Sequence, residues 1–188
     1  MTTDELEELL EGAQETPSLE FKRAMDWEPG LIKDILAMAN LQDGGRIVIG
    51  VEDATFLRQG LSEDQLQTYD TDIIRDRVAT YADPFVELTC FRPFDRGGRQ
   101  YVVIQVATFR ENPVICRKDG GRNNELRAGD IYYRSPARRP RSARIDSSVD
   151  MRDLIELAAV RRMRRLNELG LEAPRPTAYD YNGELGGL

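Results

Sequence analysis

The stretch RIVIGVED, at positions 46–53, constrains this chain more than any other. Ile47, Val48, Ile49 and Val51 form an almost unbroken apolar run, so a strand here is buried on both faces. Such a strand needs a covering layer on each side. The preceding segment GLIKDILAMANL supplies one, because Leu31, Ile35, Met38 and Ala39 recur at helical spacing. QDGG then closes that helix and turns the chain into the strand.

The remaining pattern alternates helices with short strands. Residues 2–11 predict a helix opened by the capping box Thr2-x-x-Glu5 and ended by Gly12. SLEFK is a strand with Leu19 and Phe21 on one face and Glu20 and Lys22 on the other. TYDTDIIRDRVATYA predicts a further amphipathic helix capped by Asp70 or Thr71, and PFVELTCFRPF, RQYVVIQVA, PVICRK and DIYYRS predict strands. Prolines keep PARRPRSAR out of any helix interior. Ser147 or Ser148 caps a final helix whose apolar stripe is Met151, Leu154, Ile155, Ala158 and Leu166. The expectation is an α+β fold, a mixed β-sheet with flanking helices. Residues 1–13 form an N-terminal helix, 14–170 a single domain including the basic C-terminal helix, and 171–188 a flexible tail.

Composition removes several chemistries. The 188 residues contain no histidine, which excludes Ser-His-Asp and Cys-His nucleophile systems and histidine-ligated metals. Hydrolysis would have to rely on carboxylates, lysine, tyrosine or a carboxylate-bound hard cation. The two cysteines, Cys90 and Cys116, lack CxxC spacing and read as reduced residues of a cytoplasmic protein. The acidic, amphipathic N-terminus is unlike a secretory signal, and no apolar run is long enough to span a membrane. No GxGxxG or Walker-type loop occurs, so no nucleotide cofactor is expected. The net charge of −7 hides an asymmetry: residues 1–70 carry −11, and residues 134–165 carry +6. That distribution suits either a local basic face for nucleic acid or a solvated helix and polar loop.

Four stretches in order, ETPSLEFKR (15–23), IKDILAMANLQDGGRIVIGVED (32–53), ENPVICRKDG (111–120) and AGDIYYRS (128–135), resemble the Schlafen-type AlbA-like domain. The resemblance spans about residues 14–160. It implies a nucleic-acid-binding domain. In the Schlafen branch it implies a divalent-metal-dependent endoribonuclease acting on structured RNA such as tRNA, so RNA is favoured over DNA. By position the three catalytic and metal-binding acids would be Glu15, Glu20 and Asp53, with Mg²⁺ or Mn²⁺ as the ion. Bacterial relatives of the family also include DNA-binding or regulatory modules, so a non-catalytic DNA- or RNA-binding role is the alternative. The chain holds one copy of a unit that vertebrate members carry as two lobes; a homodimer would rebuild a two-lobed groove.

The residues support this chemistry only conditionally. Glutamates five apart diverge by about 140° on a helix and face opposite ways on a strand. Glu15 and Glu20 converge only if the chain bends between them, and Thr16-Pro17-Ser18 supplies that bend. Asp53 should lie on the strand side of Ile47, Ile49 and Val51, and Lys22, beside Glu20, would offset charge in catalysis. Glu20 and Lys22 equally suit an ordinary surface ion pair. Arg134, Arg138, Arg139, Arg141, Arg144, Arg161 and Arg162 are the candidate phosphate contacts, with Tyr132 and Tyr133 as a stacking surface. In the competing reading the tyrosines are core and the arginines cover acidic ground.

Overall fold

The structure, a computed structural model, describes residues 1–12, 14–52 and 55–171. Its helices are α1 (Thr3–Glu11), α2 (Leu31–Ala39), α3 (Glu63–Gln67), α4 (Thr71–Ala79) and α5 (Ser148–Glu168). Its strands are β1 (Leu19–Lys22), β2 (Gly45–Ile49), β3 (Ala82–Asp83), β4 (Leu88–Phe91), β5 (Val102–Val106), β6 (Ile115–Cys116), β7 (Tyr132–Tyr133) and β8 (Ala143–Arg144). The main sheet has the order β1-β2-β5-β4. β1 and β2 are parallel and joined through α2, while β5 is antiparallel to both of its neighbours. The α+β class with a mixed sheet is therefore the one observed.

β2 is buried on both faces, as its composition requires. Ile47 and Ile49 join the larger core with α2, α4 and the alternate residues Val102, Ile104 and Val106 of β5. Val48 points the other way, into a smaller core with Phe21, Tyr101, Val103 and the α1 residues Leu6 and Leu10. Helix α1 opens with the expected capping box between Thr2 and Glu5. The turn before β2 needs glycine twice over. Gly44 has φ +71°, and a Cβ there would meet the Val106 carbonyl oxygen at 2.1 Å.

Two small sheets, β3–β6 and β7–β8, are fastened to this frame. PVICRK thus does pair, but with β3 rather than with the main sheet. Asn40, the residue that ends α2, does the fastening. Its Nδ2 donates to the carbonyls of Val114 and Tyr132, each at 2.9 Å, and its Oδ1 accepts from the Val114 N–H at 2.7 Å.

Helix α5 starts at its Ser147 cap, yet its buried stripe is narrower than expected. Leu154 is buried, with Leu157 and Ala158 packed beside it, whereas Ile155 is 57% exposed. One residue further along a helix is about 100° further round it, and the body contacts only one side. The next inward position belongs to Arg161, which donates to the carbonyl oxygens of Phe109 and Gln42. The expected tail lies, apart from residue 171, outside the described residues.

Replacing Asn40 by Ala leaves the Val114 N–H and two carbonyls buried without partners, and should destabilise the fold by at least about 2 kcal/mol. Urea denaturation measures this. A loss below about 0.5 kcal/mol would show that the two small sheets do not depend on Asn40.

Candidate functional site

The bend at residues 16–19 is a tight turn. The Thr16 N–H donates to the Leu19 carbonyl at 3.1 Å, and the Leu19 N–H donates back to the Thr16 carbonyl at 3.2 Å. Pro17 and Ser18 sit at its tip. Glu15 is thereby folded back along β1, where its Oε1 accepts the Phe21 N–H at 3.4 Å. The bend proposed from Thr16-Pro17-Ser18 is present, and it sets Glu15 near enough to Glu20 for their charges to interact.

Glu20 and Lys22 share the β1 face that looks towards α2, and they meet there as an ion pair. Arg134, just after β7, brings Nη2 to 2.6 Å from Glu20 Oε2 and donates to the Thr16 carbonyl at 3.2 Å. Asp34, on α2, completes the cluster: Lys22 Nζ lies 3.7 Å away, Arg134 Nη1 lies 3.9 Å away, and the Ser142 hydroxyl donates to it. Arg134 is fully buried. It has no surface to offer a phosphate, so its assignment as a nucleic-acid contact is corrected: the guanidinium is committed to Glu20.

Asp34 and Ser142 were not anticipated. A signal for Asp34 does exist, because Leu31, Asp34, Ile35 and Met38 occupy positions i, i+3, i+4 and i+7. An acid on an apolar helical stripe needs a buried partner. Ser142 carries no comparable mark.

Asp53 lies outside the described residues. Strand alternation breaks at Gly50. The N–H groups of Gly50 and Val51 both donate to the Lys22 carbonyl, and Val51 joins the α1-side core with Val48 rather than Ile47 and Ile49. Among the described residues no three acidic, cysteine or histidine side chains are arranged to hold a metal ion. The two Glu20 carboxylate oxygens face Lys22 and Arg134 respectively. Glu20, as placed, is already paired with two cations.

The remaining arginines divide by partner. Arg138, Arg139, Arg141 and Arg144 are all exposed. Arg138 pairs with Asp146 at 3.0 Å and Arg144 with Asp130 at 3.9 Å, while Arg139 and Arg141 have no acidic partner among the described residues. Arg161 is taken up by backbone carbonyls and stacks over Phe109, its centre 5.1 Å from the ring. Arg162 pairs with Glu111 at 2.6 Å. Arg161 and Arg162 thus fasten α5 to the loop at 109–111. Tyr132 is core, its hydroxyl donating to the Glu125 carbonyl and accepting from the Arg127 N–H, so it offers no stacking face; Tyr133 is half-buried.

A family model described as Schlafen, AlbA_2 matches residues 15–140. No curated protein matches the chain. Among solved structures, the DIP2311 protein of Corynebacterium diphtheriae is similar at 20% identity and a TM-score of 0.48, over 76% of this chain and 26% of that one. The N-terminal domain of a protein related to the ATP-dependent DNA helicase RecG, from Nitrosomonas europaea, is similar at 23% identity and a TM-score of 0.46. That match covers 63% of this chain and 81% of the other. The chain therefore spans about a quarter of the DIP2311 protein and most of the second domain.

The acidic cluster has a pH signature. Burial raises the Asp34 carboxyl above its ordinary value, Lys22 opposes the rise, and Glu20 adds to it. Burial, then Glu20, likewise raises Glu15. A carboxyl raised in the folded state holds its proton more tightly there than in the unfolded chain. Its contribution to stability is full below the ordinary aspartate range and is lost as pH rises through the raised value. Asp34→Asn cannot titrate. The stability of the wild type relative to this variant should therefore fall as pH rises above the ordinary aspartate value of about 4. Urea unfolding at each pH gives the difference, and a gap independent of pH would contradict it.

Proposed function

This chain belongs to the Schlafen AlbA_2 family, and on that footing we propose that it is a nucleic-acid-binding domain whose contact surface is Arg138, Arg139, Arg141 and Arg144. The observation that carries this reading is the state of those four side chains: all exposed on one short segment, two of them without acidic partners among the described residues. The two surface ion pairs are worth little in water, and phosphate can displace them. Pro136 and Pro140 keep the segment from becoming helix. Structured RNA is the preferred ligand, on the strength of the family resemblance. Among the described residues no helix is long and apolar enough to cross a membrane, and Cys90 and Cys116 are free thiols, which suits the cytoplasm.

A second reading, a divalent-metal-dependent endoribonuclease, draws on one observation: the 16–19 turn folds Glu15 back beside Glu20. Glu15, Glu20 and Asp53 would be its acids, with Lys22 beside them. Since Glu20 is already held by two cations, binding without cleavage is the reading favoured here.

Two measurements separate them. The triple variant Arg138→Ala, Arg139→Ala, Arg141→Ala should bind a folded tRNA transcript more weakly and lower the salt slope of log K by about 2–3. An unchanged slope would move the interface elsewhere. Incubation with Mg²⁺ or Mn²⁺ should leave the transcript intact. Metal-dependent cleavage that disappears in Glu15→Gln, a variant at a half-buried position, would establish the nuclease reading instead.

A further inference from the structure

Among the described residues, helix α5 is covered on one side only. Leu154, Leu157 and Ala158 face the body, and Arg161 continues that line by capping the carbonyls of Phe109 and Gln42. The opposite side is not the polar surface expected of a one-sided helix. Ile155, Ala159 and Met163 recur every four residues there and are exposed, Ile155 at 57% and Met163 at 62%. Val160 and Val149, exposed at 46% and 55%, widen the stripe. Residues spaced by three and four share one helical face, so Ile155, Ala159 and Met163 make a short apolar strip on this outer surface, with Arg152 at its N-terminal end and Glu156 beside it.

Its flank carries an ordered charge pattern. Asp153, Glu156, Val160 and Arg164 occupy positions i, i+3, i+7 and i+11, a single row beside the apolar stripe. The row is acidic at its N-terminal end, apolar in the middle and basic at its C-terminal end. All four residues are exposed, and Arg164 has no acidic partner among the described residues. A second copy laid antiparallel across the middle sets Asp153 and Glu156 of one helix against Arg164 of the other, twice by symmetry.

From this self-complementarity we infer that the outer face of α5 is a homodimer interface, with two copies of α5 packed antiparallel about Ala159 and Val160. The small side chain of Ala159 lets the helices approach at the two-fold axis. Such an interface is isologous and closes at two copies. It uses none of Arg138, Arg139, Arg141 and Arg144, so the proposed contact residues are not consumed by dimerisation. The seam is short and apolar with a charged edge, which gives a concentration-dependent association rather than an obligate one.

Sedimentation velocity from low micromolar to near-millimolar protein tests this. The wild type should shift from monomer towards a dimer of twice the mass. Ile155→Glu with Met163→Glu, at two exposed positions, should stay monomeric while keeping the circular dichroism spectrum of the wild type. Charge reversal supplies an independent arm. Arg164→Glu alone, and Asp153→Arg with Glu156→Arg alone, should each be monomeric, whereas mixing the two should restore a dimer. A wild type that stays monomeric throughout would overturn the inference. So would a dimer indifferent to Ile155→Glu and Met163→Glu, or reversed variants that fail to recover on mixing.

Discussion

One guanidinium holds the parts of this domain in register. Arg134 has no exposed surface, and removing its charge from water costs several kcal/mol before any partner is counted. The offset comes from four places: Glu20 on β1, the Thr16 carbonyl in the turn before it, Asp34 on α2, and Ser142 ahead of β8. An assembly of this kind adds little net stability over an apolar core of the same volume, but it makes wrong arrangements expensive. A one-residue slip of β1 against β2 would carry Glu20 to the other face, among Leu6, Leu10 and Phe21, and strand Arg134.

The same pairing bears on chemistry. A carboxylate that binds a hard cation must present free oxygens, and the two on Glu20 lie against Lys22 and Arg134. A metal ion would compete with two positive charges already in place. Glu15 is the less committed of the two glutamates, holding one backbone N–H at 3.4 Å. The turn that brings these acids together has a structural use of its own, since its Thr16 carbonyl is a ligand of Arg134. Convergence of Glu15 and Glu20 thus follows from the packing of this edge of the sheet as directly as it would from catalysis.

Much of the fold was legible where the information is local. The double burial of β2, the Thr2 capping box, the Asp70 cap of α4, the Ser147 cap of α5 and the Pro17 bend each follow from a few neighbouring residues. What could not be read depends on partners far along the chain. Arg134 looked like its basic neighbours until Thr16, 118 positions away, and Glu20 were placed beside it. Tyr132, open between a stacking surface and core in the sequence, is core, its hydroxyl bonded to backbone at Glu125 and Arg127. The bulge at Gly50 reversed the side of Val51 because two N–H groups share one carbonyl, which alternation along a strand does not foretell.

Net charge was a poor guide for a related reason: opposite charges are neutralised locally. The acidic first helix is answered on the spot, with Glu7 bound by Arg58 at 2.9 Å and by the Arg96 N–H at 2.7 Å, and Asp4 by the Arg96 side chain. Glu111 likewise takes up Arg162 and Arg165. Over a screening length of about 8 Å at physiological salt, a distant phosphate senses only what such pairs leave over. Arg139 and Arg141 are left over, on a segment that its prolines keep out of helix. A chain of net charge −7 can therefore still carry a locally positive segment, because Arg139 and Arg141 lie two residues apart there without acidic partners among the described residues.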